Sequence, residues 1–214
     1  MATIVWRFTD GKAGHDAQSQ GLLRALRERL AVSAFDVAVR QSCAGFWPGF
    51  NGSHRYAARL PVPDLLIGAG HATHWPLLAA RRRWGGRAIV LMKPSLPLSW
   101  FDLCLVPEHD RPPQAANVLP TLGSLNSIQP CPGHNADNGL IVLGGPSRHY
   151  RWDNDEILTQ LERLVTERPL KKWLLTTSRR TPQFMLCALL DRTEFQCVPY
   201  ASTDSDWLPA RLAE

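Results

Sequence analysis

No apolar run in this chain approaches the roughly 18 residues of a membrane-spanning helix, which argues against a helical span. The N-terminus has neither a basic leader region nor a small-residue cleavage site and enters a strand pattern at once, so no secretory signal is read and the cytoplasm is the expected compartment. The cysteines Cys43, Cys104, Cys131, Cys187 and Cys197 are odd in number and scattered, with no C-x-x-C pair. A zinc site or a disulfide framework is therefore not expected. Cys104 and Cys187 fall inside apolar runs and are read as small core residues. Neither G-x-G-x-x-G nor G-x-x-x-x-G-K-[ST] occurs, so no nucleotide fingerprint can be claimed from motif alone. Internal repeats and low-complexity tracts are lacking too. The formal net charge is +5 and the pI is near 9.2, which fits phosphate-bearing substrates, anionic lipid surfaces or nucleic acid. A basic stripe interleaved with aromatics is missing, so no nucleic-acid partner is expected. The densest basic cluster, Arg81 to Arg83, ends a predicted helix, where cations complement the dipole, and is read as a solvated helix end.

What is present is a soluble composition, 44% hydrophobic and 20% charged over 214 residues. "TIVWRF" reads as a strand, and "AQSQGLLRALRERL" as a helix with Leu22, Leu23, Leu26 and Leu30 on one face. "AFDVAV", "DLLIGAG", "RAIVLMKP" and "LCLVP" read as further strands. Their continuous apolar character suits a sheet covered on both faces. "HATHWPLLAARRRW" reads as a helix, and "HRYAARL" as a short helical turn. Strands alternating with helices at this spacing predict βαβ units and a parallel sheet. Between Glu108 and Asn138 the sequence is rich in Pro, Asn and Gly and reads as irregular. The pattern then restarts, with "GLIVLGG", "KKWLLTTS" and "EFQCVPY" as strands and "NDEILTQLERLVTER" and "PQFMLCALLD" as helices. The expected organisation is an α/β domain over 1–124, a linker over 125–138 and a second α/β domain over 139–214.

In open α/β sheets ligands bind beyond the carboxyl ends of the strands. Four predicted strand ends in the first domain carry polar residues: Asp10–Gly11–Lys12–Ala13–Gly14–His15, Gly68–Ala69–Gly70–His71, Lys93–Pro94–Ser95 and Glu108–His109–Asp110. His15 is the candidate site histidine, since a glycine turn admits a ligand and a helix start places the imidazole in the cleft. His71 and His74 have i, i+3 spacing but lack an evident third ligand. His71 is read as a helix-start residue and His74 as a satisfied polar neighbour. In the second domain Gly144, Gly145 and Ser147, with Arg148, follow one strand, and Thr176, Thr177, Ser178, Arg179 and Arg180 follow the next. Ser/Thr hydroxyls and Arg at two successive strand ends describe an anion site.

The blocks "DGKAGHDAQSQGL", "DLLIGAGHATH", "LMKPSLPLSWFDLCLVPEHD", "NVLPTLGSLN", "LGGPSRHYRWD" and "TTSRRTP" together resemble the mitochondrial-fission family named for elongated mitochondria. Its bacterial members are often labelled nucleoside-diphosphate-sugar epimerases or glycosyltransferases. The resemblance implies a GT-B-like pair of Rossmann-like domains that transfers a sugar from a nucleoside-diphosphate donor to an unknown acceptor, with no metal or other cofactor. It implies His15 as the catalytic base. Asp10, Lys12, Gly14, Gly70, His71, Lys93, Ser95, Glu108 and His109 would line the acceptor side. Gly144, Gly145, Ser147, Arg148, Ser178, Arg179 and Arg180 would hold the donor diphosphate. The epimerase label sits poorly with a first turn lacking G-x-G-x-x-G and with Tyr150 lacking a lysine four residues on. Family members continue with an acidic-serine segment, whereas this chain ends at "DWLPARLAE", which implies a truncated second domain and a fragment inactive alone. The alternative function is a non-catalytic adaptor that binds a protein or a membrane surface peripherally.

Overall fold

The computed structural model describes residues 1–39, 59–128, 131, 133–147, 151–204 and 207–213. The chain divides into two compact units, Met1–Ser127 and Ile128–Glu214.

In the first unit, β1 (Thr3–Thr9) leads through a glycine turn into α1 (Ala13–Arg27), followed by β2 (Val32–Ala38) and β3 (Leu65–Ala69). A short 3-10 turn (His71–Thr73) opens α2 (His74–Trp84), and β4 (Arg87–Leu91), β5 (Leu103–Pro107) and β6 (Val118–Thr121) complete the unit. The six strands form one sheet in the order β2-β1-β3-β4-β5-β6, with every pairing parallel.

Side chains alternate between two cores, as the period of two demands. Trp6, Phe8, Leu66, Val90, Cys104 and Val106 join Leu77 and Ala80 of α2 on one face. Val5, Ile67, Leu91 and Leu105 join Leu23 of α1 on the other. Helices on both faces explain why the central strands read as unbroken apolar runs.

Four sequence expectations change here. The stretch read as irregular after Glu108 contains β6, paired with β5 from Cys104↔Val118 to Pro107↔Thr121. It is a short edge strand in which Pro120 is tolerated because no further strand needs its missing N–H, and it shows no apolar alternation to betray it. Leu30 lies beyond the end of α1 and is 48% exposed, so it does not extend the helix's apolar face. Arg81 is more than a solvated helix end: its guanidinium donates to Trp100 O (2.9 Å) and to Asp102 Oδ1 (2.8 Å). Cys187 is exposed, whereas Cys104 is fully buried as expected. Cys43 and most of the "HRYAARL" segment lie outside the described residues.

In the second unit, β7 (Asn138–Val142), α3 (Asn154–Glu167), β8 (Lys172–Thr176), α4 (Gln183–Leu190), β9 (Gln196–Val198) and α5 (Trp207–Leu212) follow in order. The strands form a parallel sheet in the order β7-β8-β9. Asp153 caps α3 by accepting from the backbone N–H groups of Asp155 (3.1 Å) and Glu156 (3.2 Å), which satisfies two of the helix's orphan donors. Leu161 of α3 and Met185 and Leu189 of α4 pack with Leu175 and Phe195 in a single core. Ile141, Trp173 and Cys197 point into that core from the three strands.

Candidate functional site

The strand order of the first unit reverses between β1 and β3: β2 lies to one side of β1, and β3 to β6 to the other. Such a switch point opens a crevice at the carboxyl ends of the two strands, because their crossovers leave on opposite faces. Asp10 follows β1 and Gly70 follows β3, so both stand at that crevice.

A small polar constellation is built there. The Asp10 side chain is wholly buried. Its Oδ1 accepts from the backbone N–H of Lys12 (3.2 Å), and its Oδ2 lies 2.8 Å from His15 Nδ1 and 3.8 Å from Lys12 Nζ. Gly11, at φ +75°, provides the left-handed turn that lets the chain reverse into α1. The His15 side chain is 19% exposed and therefore open to a ligand. An ionised Asp10 is acceptor-only, so His15 donates through Nδ1–H and keeps Nε2 as its basic nitrogen.

Gly70 completes the arrangement. It stands at φ +82°, and a Cβ there would fall 2.2 Å from His15 Cε1 and 2.4 Å from Nδ1. The imidazole thus rests against bare backbone. Thr73 secures that backbone from below, its hydroxyl donating to Gly70 O (2.7 Å).

The remaining candidates lie farther along the same edge. His71 is exposed at the start of the 3-10 turn. Lys93 and Ser95 follow β4, and Glu108 and His109 form an exposed turn after β5. With strands ~4.8 Å apart, β5 stands about 14 Å from β1, so Glu108 and His109 border the same rim without touching His15. His74 is buried, 3.4 Å from Ser95 Oγ through Nδ1, and edge-to-face with Phe101. Burial, helped by the neighbouring His71, lowers its pKa to about 4. It is a neutral core histidine.

Sequence reasoning passed over Gln18 and Met92. Gln18 Nε2 donates to Met92 Sδ (3.4 Å), tying α1 to the end of β4. Met92 holds φ +69°, a left-handed conformation uncommon outside glycine. Only the preceding apolar strand marks its position in the sequence.

In the second unit the ends of β7 and β8 meet. The Thr181 hydroxyl donates to Gly144 O (2.6 Å) and accepts from Ser178 N–H (2.9 Å). Ser178 Oγ lies 3.2 Å from Thr181 Oγ1 and accepts from Arg180 N–H (3.2 Å). Gly145 packs so tightly on this turn that a Cβ would fall 2.1 Å from Arg180 O. Arg179 stacks on Tyr200 (5.1 Å to the ring centroid) and donates to its hydroxyl (2.8 Å). Arg180 is exposed, and Ser147 lies in the loop after β7. Ser178 therefore builds the turn, and Thr181, outside the expected set, links it to Gly144. Arg148 and Tyr150 lie outside the described residues. Among the described residues no cluster of His, Cys, Asp and Glu could hold a metal ion, and no helix is long and apolar enough to cross a membrane.

Residues 13–214 match the family model described as Mitochondrial fission ELM1. No curated protein matches the sequence. Among solved structures, the chain is similar to a candidate UDP-N-acetylglucosamine 2-epimerase from Listeria monocytogenes, at 11% identity and a TM-score of 0.55, covering 98% of this chain and 71% of that one. It is also similar to S. aureus MnaA, solved with UDP, at 10% identity and a TM-score of 0.50, covering 92% of this chain and 68% of that one. The likeness shows the fold: α/β, with Rossmann-like parallel units of the GT-B-like class.

Proposed function

For a chain that belongs to the mitochondrial fission ELM1 family, we propose an enzyme that acts on a nucleoside-diphosphate sugar, with His15 as its general base. The observation that carries this reading is the Asp10–His15 pair set against Gly70 at the β1/β3 switch point. A buried carboxylate that accepts from Nδ1–H holds the imidazole in one tautomer and stabilises the imidazolium formed when Nε2 takes a proton. In sugar transfer, Nε2 takes the proton of the acceptor hydroxyl as its oxygen bonds to the anomeric carbon. The bond from that carbon to the diphosphate breaks, and the diphosphate departs with the electron pair. Lys12 and the α1 N-terminus add positive potential at the crevice. The Gly144–Gly145 loop, Ser147, Arg148 and the exposed Arg180 are the proposed diphosphate anchors of the second unit, with the Ser178–Thr181 turn as their support.

The two solved structures favour a second reading on the same site, in which the base takes the proton from C2 of the sugar as the diphosphate leaves C1 with its electron pair. A proton delivered to the other face of C2, with re-addition of the diphosphate at C1, completes an epimerisation. Both readings need a nucleoside diphosphate, and both need His15. Calorimetry with UDP is therefore the first test, followed by product analysis with UDP-N-acetylglucosamine, with and without added acceptor sugars. His15→Ala is expected to lower turnover by about 100- to 10,000-fold with UDP affinity nearly unchanged. A parallel loss of UDP affinity would make His15 a donor ligand. No affinity for any nucleoside diphosphate would overturn the enzyme reading in favour of a non-catalytic adaptor.

A further inference from the structure

Trp75 on α2 and Trp100 in the Leu98–Trp100 turn are 61% and 43% exposed, yet their rings touch edge-to-face with centroids 5.7 Å apart. Single apolar side chains scattered on a surface are ordinary, whereas two tryptophans held together in water mark a contact surface. The scaffold fixes the pair: Arg81 donates to Trp100 O (2.9 Å) and to Asp102 Oδ1 (2.8 Å), and Asp102 Oδ2 accepts from Ala88 N–H (2.7 Å).

The charge around the pair is one-sided. Of the elements that carry the pair, α2 holds Arg81, Arg82 and Arg83 and no carboxylate, and the Leu98–Trp100 turn is followed by Asp102. Asp102 is already engaged by Arg81 and by the β4 backbone. Arg82 is exposed and lies seven residues after Trp75, two helical turns along the same side of α2. Tryptophan's amphipathic ring favours the headgroup level of a bilayer, and arginine on the same face favours anionic headgroups. An acidic protein groove would answer the cations but has less use for two indoles side by side.

We propose that this face, centred on Trp75 and Trp100 and flanked by Arg82, docks the protein reversibly on an anionic lipid bilayer. The inference is independent of the catalytic reading, since none of these residues belongs to the His15 constellation. The full chain is sedimented with phosphatidylcholine vesicles, with and without added phosphatidylglycerol, at low and high salt. Partition onto the anionic vesicles, weakened by salt, is expected. Arg82→Glu should weaken it by about fivefold or more, and Trp75→Ser with Trp100→Ser should abolish it, with thermal midpoints reporting that each variant folds. If the double serine variant fails to fold, Trp75→Phe and Trp100→Phe serve instead and should weaken partition. Brominated lipids should quench the wild-type tryptophan fluorescence and quench it less in the Trp variants. Equal partition onto neutral vesicles, or partition indifferent to all of these variants, would overturn the proposal. So would self-association that the Trp variants abolish, which would assign the face to a second copy of the chain.

Discussion

Gly70 combines φ +82° with ψ 153°, a region that residues with a side chain enter at a cost of about 1–3 kcal/mol. Gly70→Ala is expected to destabilise the first unit by at least that amount and to push the His15 ring off its seat. Urea unfolding and the His15 ring signals in an NMR spectrum would report the two effects, and an unmoved ring would break the argued contact. His74 predicts a pH dependence. Its folded pKa, near 4, lies below the usual value of 6.5, so as the pH falls between these values the unfolded chain takes up a proton that the folded chain refuses. Stability should therefore decline from about pH 6.5 toward pH 4, by at most about 1.4 kcal/mol per pH unit. His74→Phe should flatten that slope in urea titrations at stepped pH. Of this constellation the sequence showed Asp10 and His15 five residues apart beside glycines. It could not show that Gly70, from another strand end, supplies the surface on which the imidazole rests.

Among elements, the turn after β8 is the most exposed to a single substitution. Thr181→Val removes the bond to Gly144 O and the one accepted from Ser178 N–H, each worth about 0.5–1.5 kcal/mol net. A loss of about 1–3 kcal/mol is expected in the second unit, with faster amide exchange in both loops. Asp153→Ala should cost about 0.5–2 kcal/mol by uncapping α3, readable as reduced helicity and a lower unfolding midpoint. Unchanged exchange in the Gly144 loop would show that the two strand ends are not coupled through Thr181. In this unit α3 was legible from its helical period, whereas the strands and α4 were legible as short apolar runs bounded by polar residues, glycine or proline. β6 was not, because a four-residue edge strand containing Pro120 gains its identity from the partner it pairs with rather than from a pattern of its own.

At the scale of the whole molecule, the first unit encloses its sheet between two cores, whereas among the described residues of the second the buried apolar side chains form one cluster that α3 and α4 share. Val142 of the second sheet remains 54% exposed. Unfolding in urea is expected to proceed in two steps, the second unit first, with tryptophan fluorescence and far-UV dichroism failing to coincide. A single coincident transition would contradict this. The alternation of strands and helices made the parallel α/β class legible from the sequence. The order β2-β1-β3-β4-β5-β6 was not legible, because which side of β1 the chain next occupies depends on packing across the sheet. The contrast between Cys104 and Cys187 offers a way to time these openings without adding a probe. Cys104 is sealed in the first core, with its thiol pushed up to about 11 by burial, while Cys187 faces water. A brief pulse of alkylating reagent should tag Cys187 in native protein but reach Cys104 only through the rare moments when that core comes apart. The unmodified chain thus carries a clock and its reference in the same peptide digest.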